Sequence, residues 1–271
     1  MEEIYKYIEN HASVPSEALE WVVKQTHIRT NHARMLSGLT QGQLMRMIVQ
    51  MTGARRVLEL GTFTGYSAIC LASGLPEGGH LDTLELNDEL EDLILEGFER
   101  AGLADVISLH IGDCKETLAG LRPEMPYDIV YMDANKREYC EYYDLVFDMV
   151  RPGGLILADN VLWDGKVCQD PLPQDKQTQG IARFNDMITK DRRVESVILP
   201  IRDGLNVIRK KKFYCLVILA PRAWRRMSMS SYPRSIWSML LMTLVPLADM
   251  AAISSAIPAR ISGEAILPAL S

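Results

Sequence analysis

Short apolar runs recur along the first 210 residues, and all but the last two are separated by segments of helical length. The runs are Arg56–Leu60, Leu81–Leu86, Val106–Ile111, Ile129–Met132, Leu155–Ala158, Val194–Pro200 and Leu205–Arg209. Neighbouring parallel strands need a crossover between them, so strand–helix alternation implies a doubly wound, mostly parallel α/β sheet. The last two runs are joined through Arg202-Asp203-Gly204, and Asp-Gly between apolar runs signals a hairpin. The expectation is therefore a seven-stranded sheet that ends in an antiparallel C-terminal hairpin.

The intervening segments read as helices. Glu17–Gln25 is followed by Thr40–Met51, where Thr40-Gln-Gly-Gln43 fits a capping box ahead of Leu44, Met47, Ile48 and Met51 at helical spacing. Asp88–Ala101 is a helix stopped by Gly102, and Tyr139–Val150 is another, left through the turn Arg151-Pro-Gly-Gly154. No internal repeat is evident.

Composition narrows the class. A hydrophobic content of 48% and a charged content of 24% are those of an ordinary globular chain. The net charge of −6 argues against a broad electrostatic footprint for nucleic acid or an anionic membrane. Cys70, Cys114, Cys140, Cys168 and Cys215 are scattered and form no C-x-x-C pair, so neither a disulfide framework nor a zinc cage is expected. The acidic opening Met1-Glu-Glu-Ile-Tyr5 is unlike a secretory n-region, and the expected setting is the reducing cytoplasm.

The first strand runs into Val57-Leu-Glu59-Leu-Gly61-Thr-Phe-Thr-Gly65-Tyr66-Ser67. Glycines at a strand's carboxyl end let backbone pass close to a ligand, where open α/β sheets bind theirs. The spacing is E-x-G-x-x-x-G and not the G-x-G-x-x-G of a dinucleotide site. A carboxylate beside the first glycine would repel phosphates and suit a cationic ligand. Glu85, at the end of the second strand, can accept both hydroxyls of a ribose. Gly112-Asp113-Cys114 follows the third strand, where Asp113 can accept from an adenine amine and Cys114 lets the ring approach; a plain surface turn is an equal reading. The fourth strand ends in Asp133-Ala-Asn-Lys136 and the fifth in Asp159-Asn160. Two carboxylates and an amide oxygen make a hard, incomplete oxygen set that suits Mg²⁺ better than Zn²⁺. Acidic residues that merely end strands and cap helices are the bland alternative.

Taken in order, these motifs resemble the caffeoyl-CoA and catechol O-methyltransferase family, class I enzymes that use S-adenosylmethionine and a divalent cation. Val57–Ser67, Glu85, Asp133–Lys136, Asp159-Asn160-Val-Leu-Trp163 and Asp203-Gly204-Leu205 carry the likeness, which spans roughly residues 15–211. The resemblance implies a Rossmann-like methyltransferase fold. It implies that Glu59, Gly61 and Ser67 line the methionine part of the cofactor, with Ser37 of Met35-Leu-Ser-Gly38 closing over it. Glu85 would hold the ribose, Asp113 and Cys114 would sit by the adenine, and Asp133 would border both cofactor and metal. Asp133, Asp159 and Asn160 would bind Mg²⁺ or another divalent cation, and Lys136 matches the catalytic lysine. A phenol has a pKa of about 10, so a bound cation would favour the oxyanion. Lys136 would take the proton once the cation favours its neutral form. The expected acceptor is a small hydroxylated aromatic, and the resemblance also implies a homodimer.

Other residues are less informative. Trp163–Gln179, rich in Asp, Gln and Pro, falls where the family places a substrate-contacting insertion. Trp163 and Tyr139 can stack on an aromatic ring, whereas Tyr142 and Tyr143 read as helix packing. The five histidines show no metal-ligand spacing and read as structural or solvated. Two other functions compete. One is a tRNA hydroxyuridine O-methyltransferase, which the acidic body speaks against. The other is a cofactor-binding protein without catalysis, which Lys136 and the retained oxygen ligands speak against.

Beyond Lys212 the composition shifts to Met, Ser, Pro and Ala. Five Arg against Asp249 and Glu264 leave residues 213–271 at +3 and the body at −9. Neither Phe213–Ala220 nor Ile236–Ala248 reaches the ~18 apolar residues of a membrane span. Residues 1–212 are thus expected to form the methyltransferase domain, and residues 213–271 a poorly ordered appendage.

Overall fold

The computed structural model describes residues 2–121, 123, 125–212, 214–217 and 243–246. These fall into two units, Met1–Lys211 and Lys212–Ser271. The first contains strands β1 (Arg56–Leu60), β2 (His80–Glu85), β3 (Ile107–Ile111), β4 (Tyr127–Met132), β5 (Val150–Ala158), β6 (Val194–Leu199) and β7 (Leu205–Lys210). They form one seven-stranded sheet in the order β3-β2-β1-β4-β5-β7-β6. The first five strands run parallel, and β7 pairs antiparallel with both β5 and β6. Both the doubly wound sheet and its closing hairpin are as the sequence implied. The strand order reverses between β1 and β4, which is where open α/β sheets form their ligand crevice.

Both faces of the sheet are covered, and this explains why its central strands read as nearly continuous apolar runs. One face packs Leu58, Leu60, Val130, Met132 and Ile156 against helices α6 (Cys114–Gly120), α7 (Tyr139–Phe147) and α8 (Lys176–Lys190). The other packs Val57, Leu81, Ile129, Tyr131 and Leu157 against α2 (Glu17–Arg29), α3 (Gly38–Thr52), α4 (Tyr66–Ala72) and α5 (Glu91–Arg100). A further helix, α1 (Glu2–Asn10), precedes them.

Several boundaries differ from expectation, each for a local reason. The capping box at Thr40–Gln43 is not used: α3 starts at Gly38 with Ser37 at the cap position, so Thr40 lies inside the first turn. Asn87 caps a 3₁₀ turn at Asp88–Leu90, and this delays α5 to Glu91. Val150 leaves α7 for β5, because tertiary pairing with Tyr127 overrides its apolar helical spacing. Between Val150 and Leu155 the ladder is irregular, since Tyr127 pairs with Val150 and Ile129 with Leu155. Arg151–Gly154 is thus a bulged entry into the strand. Gln177–Gln179, the end of the expected insertion, belongs to α8, whose N-cap Asp175 accepts from Thr178 N at 2.9 Å.

The second unit, taken by itself, contains β8 (Tyr214–Val217) and β9 (Thr243–Pro246), paired antiparallel. The expectation of poor order for residues 213–271 otherwise lies outside the described residues. Among the described residues no helix is long and apolar enough to cross a membrane.

Candidate active site

The carboxyl ends of the parallel strands are tied to one another. Gly61 N and Thr62 N both donate to Leu84 O, at 3.0 and 3.1 Å. Asp133 N donates to Leu60 O at 2.8 Å, and Asp159 N to Met132 O at 3.0 Å. These bonds hold the exits of β1, β2, β4 and β5 side by side, so their carboxylates emerge along one edge. Gly61 is required here: its φ is 95°, and a Cβ would lie 2.7 Å from Asp133 O.

Glu59 is fully buried beneath this edge. Its Oε2 accepts from Thr83 Oγ1 at 2.5 Å, and Thr83 in turn lies 2.5 Å from the Thr62 hydroxyl. Its Oε1 is buried without a hydrogen bond. Burial pushes the carboxyl up to about 8, against the opposing pull of the Ser67 and Thr83 hydroxyls. Such a group is suited to a cationic ligand, which would restore its charge.

Asp159 is also buried, and three donors converge on its carboxylate. Gln41 Nε2 and Tyr131 OH donate to Oδ2 at 2.6 and 2.7 Å, and Asn160 N donates to Oδ1 at 2.7 Å. Asn160 takes up a left-handed backbone, φ 56°, which turns the chain sharply off β5. Asp133 lies at the neighbouring exit, with its side chain 19% exposed and in contact with the Lys136 ammonium. Burial holds the Asp133 carboxyl above the usual carboxylate range, Lys136 pulls it back, and the charge of Asp159 pushes it further up. Lys136 is itself buried, and its Nζ donates to Tyr139 OH at 2.9 Å. That hydroxyl lies 3.0 Å from both Met132 O and Asp159 O, so it braces the lysine against the exits of β4 and β5.

Ser37, Gly61, Ser67 and Asp133 meet around one small cavity. Glu85 stands beside it, with Oε2 accepting from Phe63 N at 2.6 Å and Oε1 from Asn87 N at 2.9 Å. Asp113 and Cys114 lie at the exit of β3, away from that cavity's lining. Asp113 Oδ1 caps α6 by accepting from Lys115 N at 2.8 Å, and the buried Cys114 thiol is pushed up to about 12 by desolvation.

One expectation about the aromatics needs correction. Tyr139 is not available for stacking on a ligand: like Tyr142 and Tyr143 it is buried in the core, with its ring edge-on to Phe184. It acts from beneath the site through its hydroxyl. Sequence reasoning also passed over Gln41, Thr83 and Tyr131. Thr83 and Tyr131 sit opposite Glu59 in the ladders of β2 and β4, a register that alternation along each strand does not supply by itself. No local signal marks Gln41.

The donor types are those that a hard divalent cation takes. A carboxylate offers about four lone-pair positions, and Asp159 uses three for Gln41, Tyr131 and Asn160. Asp133 stays partly exposed, and the repulsion between the two carboxylates is what a cation would relieve. The set is two carboxylates and one amide. Among the described residues no group of three His, Cys, Asp or Glu is arranged for a metal.

Known proteins share the family and the fold of this chain. The profile of the O-methyltransferase family matches residues 9–211. Caffeoyl-CoA O-methyltransferase 1 of Zea mays is 32% identical over 225 residues, covering 78% of this chain and 86% of the maize protein. Catechol O-methyltransferase of Niastella koreensis is 37% identical over 161 residues, covering 59% of this chain and 72% of that protein. Among solved structures, the O-methyltransferase of Bacillus cereus in complex with SAH superposes with a TM-score of 0.70 at 30% identity, covering 77% of this chain and 97% of that one. TomG of Streptomyces achromogenes in complex with SAM gives 0.71 at 30% identity, covering 77% and 96%. The chain belongs to the O-methyltransferase family and is an S-adenosylmethionine-dependent O-methyltransferase.

Proposed function

We propose that the protein methylates one hydroxyl of a small aromatic vicinal diol, using a divalent cation held by Asp133, Asp159 and Asn160. The observation that carries this reading is the convergence of Asp133, Lys136 and Asp159 at strand exits adjoining Glu59 and Gly61. Relatives named for caffeoyl-CoA and for catechol add support, since both names denote phenolic acceptors.

Each residue has a distinct task in this reading. Glu59, Gly61, Ser67 and Ser37 hold the methionine end of the cofactor, Glu85 its ribose, and Asp113 with Cys114 its adenine. Asp133 borders the cofactor as well as the cation. The cation, when bound, supplies Lewis-acid stabilisation of negative charge on the acceptor oxygen. Lys136, fixed by Tyr139, would first release its own ammonium proton to solvent when a cation is held beside it, and as the neutral amine would then take the hydroxyl proton at Nζ. The oxygen lone pair then forms the new bond to the methyl carbon while the carbon–sulfur bond breaks, leaving a neutral thioether. Alignment of oxygen, carbon and sulfur is the main contribution of the fold.

A vicinal diol can place two oxygens on one cation, whereas a monophenol can place only one. Catechols should therefore show at least tenfold higher kcat/KM than matched monophenols under saturating Mg²⁺, a difference of about 1.4 kcal/mol in barrier. EDTA should abolish the transfer. Equal efficiencies would remove the diol argument, and methylation of an undermodified tRNA pool alone would replace the acceptor class.

A further inference from the structure

The turn between β6 and β7 touches more of the site than its position at the sheet's far edge requires. Ile201–Gly204 is closed by Gly204 N donating to Ile201 O at 2.9 Å. Within it Arg202 adopts a left-handed backbone, φ 51°, which is uncommon for a residue with a side chain and favours glycine. The conformation sends the guanidinium across to the segment that precedes α3. There it donates to Leu36 O and, at 3.4 Å, to Arg34 O.

That segment is the roof of the cofactor cavity. Met35, Leu36 and Ser37 line one small cavity together with Gly61, Ser67 and Asp133. If this cavity takes the methionine end of the cofactor, the segment that lines it has to yield for entry and exit. Arg202 ties that roof down through its bonds to Leu36 O and Arg34 O.

The same turn grips the loop that follows Asp159 and Asn160. Val161 N donates to Gly204 O at 3.1 Å, and Leu162 N donates to Asp203 O at 2.9 Å. Asp164 N donates to Asp203 Oδ1 at 2.6 Å. This loop carries left-handed backbones at Asn160, Trp163 and Asp164, so it depends on outside bonds for its shape. One turn therefore joins the cofactor roof to the loop that leaves the β5 exit.

We propose that Arg202–Gly204 is a clasp that governs cofactor retention, with Arg202 the positioning residue that pins the Arg34–Ser37 roof. The proposal rests on the assignment of this cavity to the cofactor's methionine end. Its test uses the full chain without added metal, with S-adenosylhomocysteine as the probe. Release is followed by stopped-flow displacement, and thermal melting is measured in parallel. Arg202→Gly removes the clasp while supplying the residue that the backbone favours. Release should accelerate at least tenfold while Tm stays level or rises, opposite signs that a purely structural role would not give. Arg202→Lys keeps the charge without the forked donor, and release should fall between the other two. It carries the same test should the glycine variant lose its fold. Wild-type release rates in both variants, or a fall in Tm that tracks the loss of affinity, would overturn the clasp. Failure of the unaltered chain to bind S-adenosylhomocysteine would overturn the cavity assignment and the clasp together.

Discussion

Gln41 and Asp159 stand 118 residues apart, yet Gln41 Nε2 donates to Asp159 Oδ2 at 2.6 Å, deep beneath the candidate active site. The bond links the first turn of α3 to the exit of β5, and Tyr131 OH completes it at 3.0 Å from the same amide nitrogen. Gln41 Oε1 is meanwhile buried without a partner. An unpaired buried acceptor costs about 1–3 kcal/mol, so this side chain is placed for Asp159 and not for stability.

Gln41→Leu tests that reading. It removes the unpaired oxygen together with the donor, so the two effects on stability should largely cancel, leaving a change within about 1–2 kcal/mol. Activity should fall about 10–100-fold, the usual cost of losing a partner that orients a ligating group. Urea denaturation and steady-state kinetics on the same preparation give the two numbers. A loss of stability with intact kcat would show that Gln41 is merely structural.

Glu59 predicts a pH dependence. Its carboxyl sits near 4.5 when unfolded and at about 8 when folded, with burial as the main cause. Between those values the folded state holds a proton that the unfolded chain has lost. The contribution of Glu59 to stability is therefore fully present below 4.5, and it is lost as pH rises through 8, at up to about 1.4 kcal/mol per unit. Glu59→Gln should flatten this part of the stability profile. The cationic cofactor should also drive Glu59 to ionise, so calorimetry at pH 7 in buffers of different ionisation enthalpy should show proton release that Glu59→Gln abolishes.

Asp159→Ala removes an oxygen ligand at a strand end while leaving both core faces in place. Activity should fall by orders of magnitude and should not return at ordinary Mg²⁺ concentrations. Full activity of this variant in EDTA would end the metal-dependent reading.

Gly180 tests the seat of Lys136. Helix α8 passes so close to the turn carrying the lysine that a Cβ at Gly180 would lie 2.6 Å from Lys136 O and 2.9 Å from Arg137 Cα. Both contacts are backbone, so Gly180→Ala must shift the turn itself. The expected result is at least a tenfold fall in kcat, with cofactor affinity retained because Glu59 and Glu85 lie on other strands. Unchanged kcat would show that the turn tolerates displacement.

The family match ends at residue 211, and the compact unit ends at Lys211. A chain stopped after Lys212 should therefore fold, bind S-adenosylmethionine and keep its Tm within a few degrees. Loss of solubility or of cofactor binding would place part of residues 213–271 in the domain.

The local pattern of residues was enough to determine a mostly parallel sheet and its terminal hairpin, because burial on both faces forces apolar runs and Asp203-Gly204 leaves a turn signal of its own; the order of the strands came only with the fold. It also singled out Glu59, Glu85, Asp133 and Asp159 as carboxylates at or near strand ends, while Lys136 stood out only through the family resemblance. Tertiary structure alone decided what surrounds them. Gln41 reaches Asp159 from another layer, Tyr139 turns inward to brace Lys136, and Arg202 reaches Leu36 across 166 residues of sequence. Packing also drew Val150 out of α7 into β5 and moved the start of α3 ahead of the Thr40 capping signal. Local propensity is worth a few tenths of a kcal/mol per residue, whereas strand pairing and burial decide larger sums, so element ends and long-range hydrogen bonds follow the assembled fold.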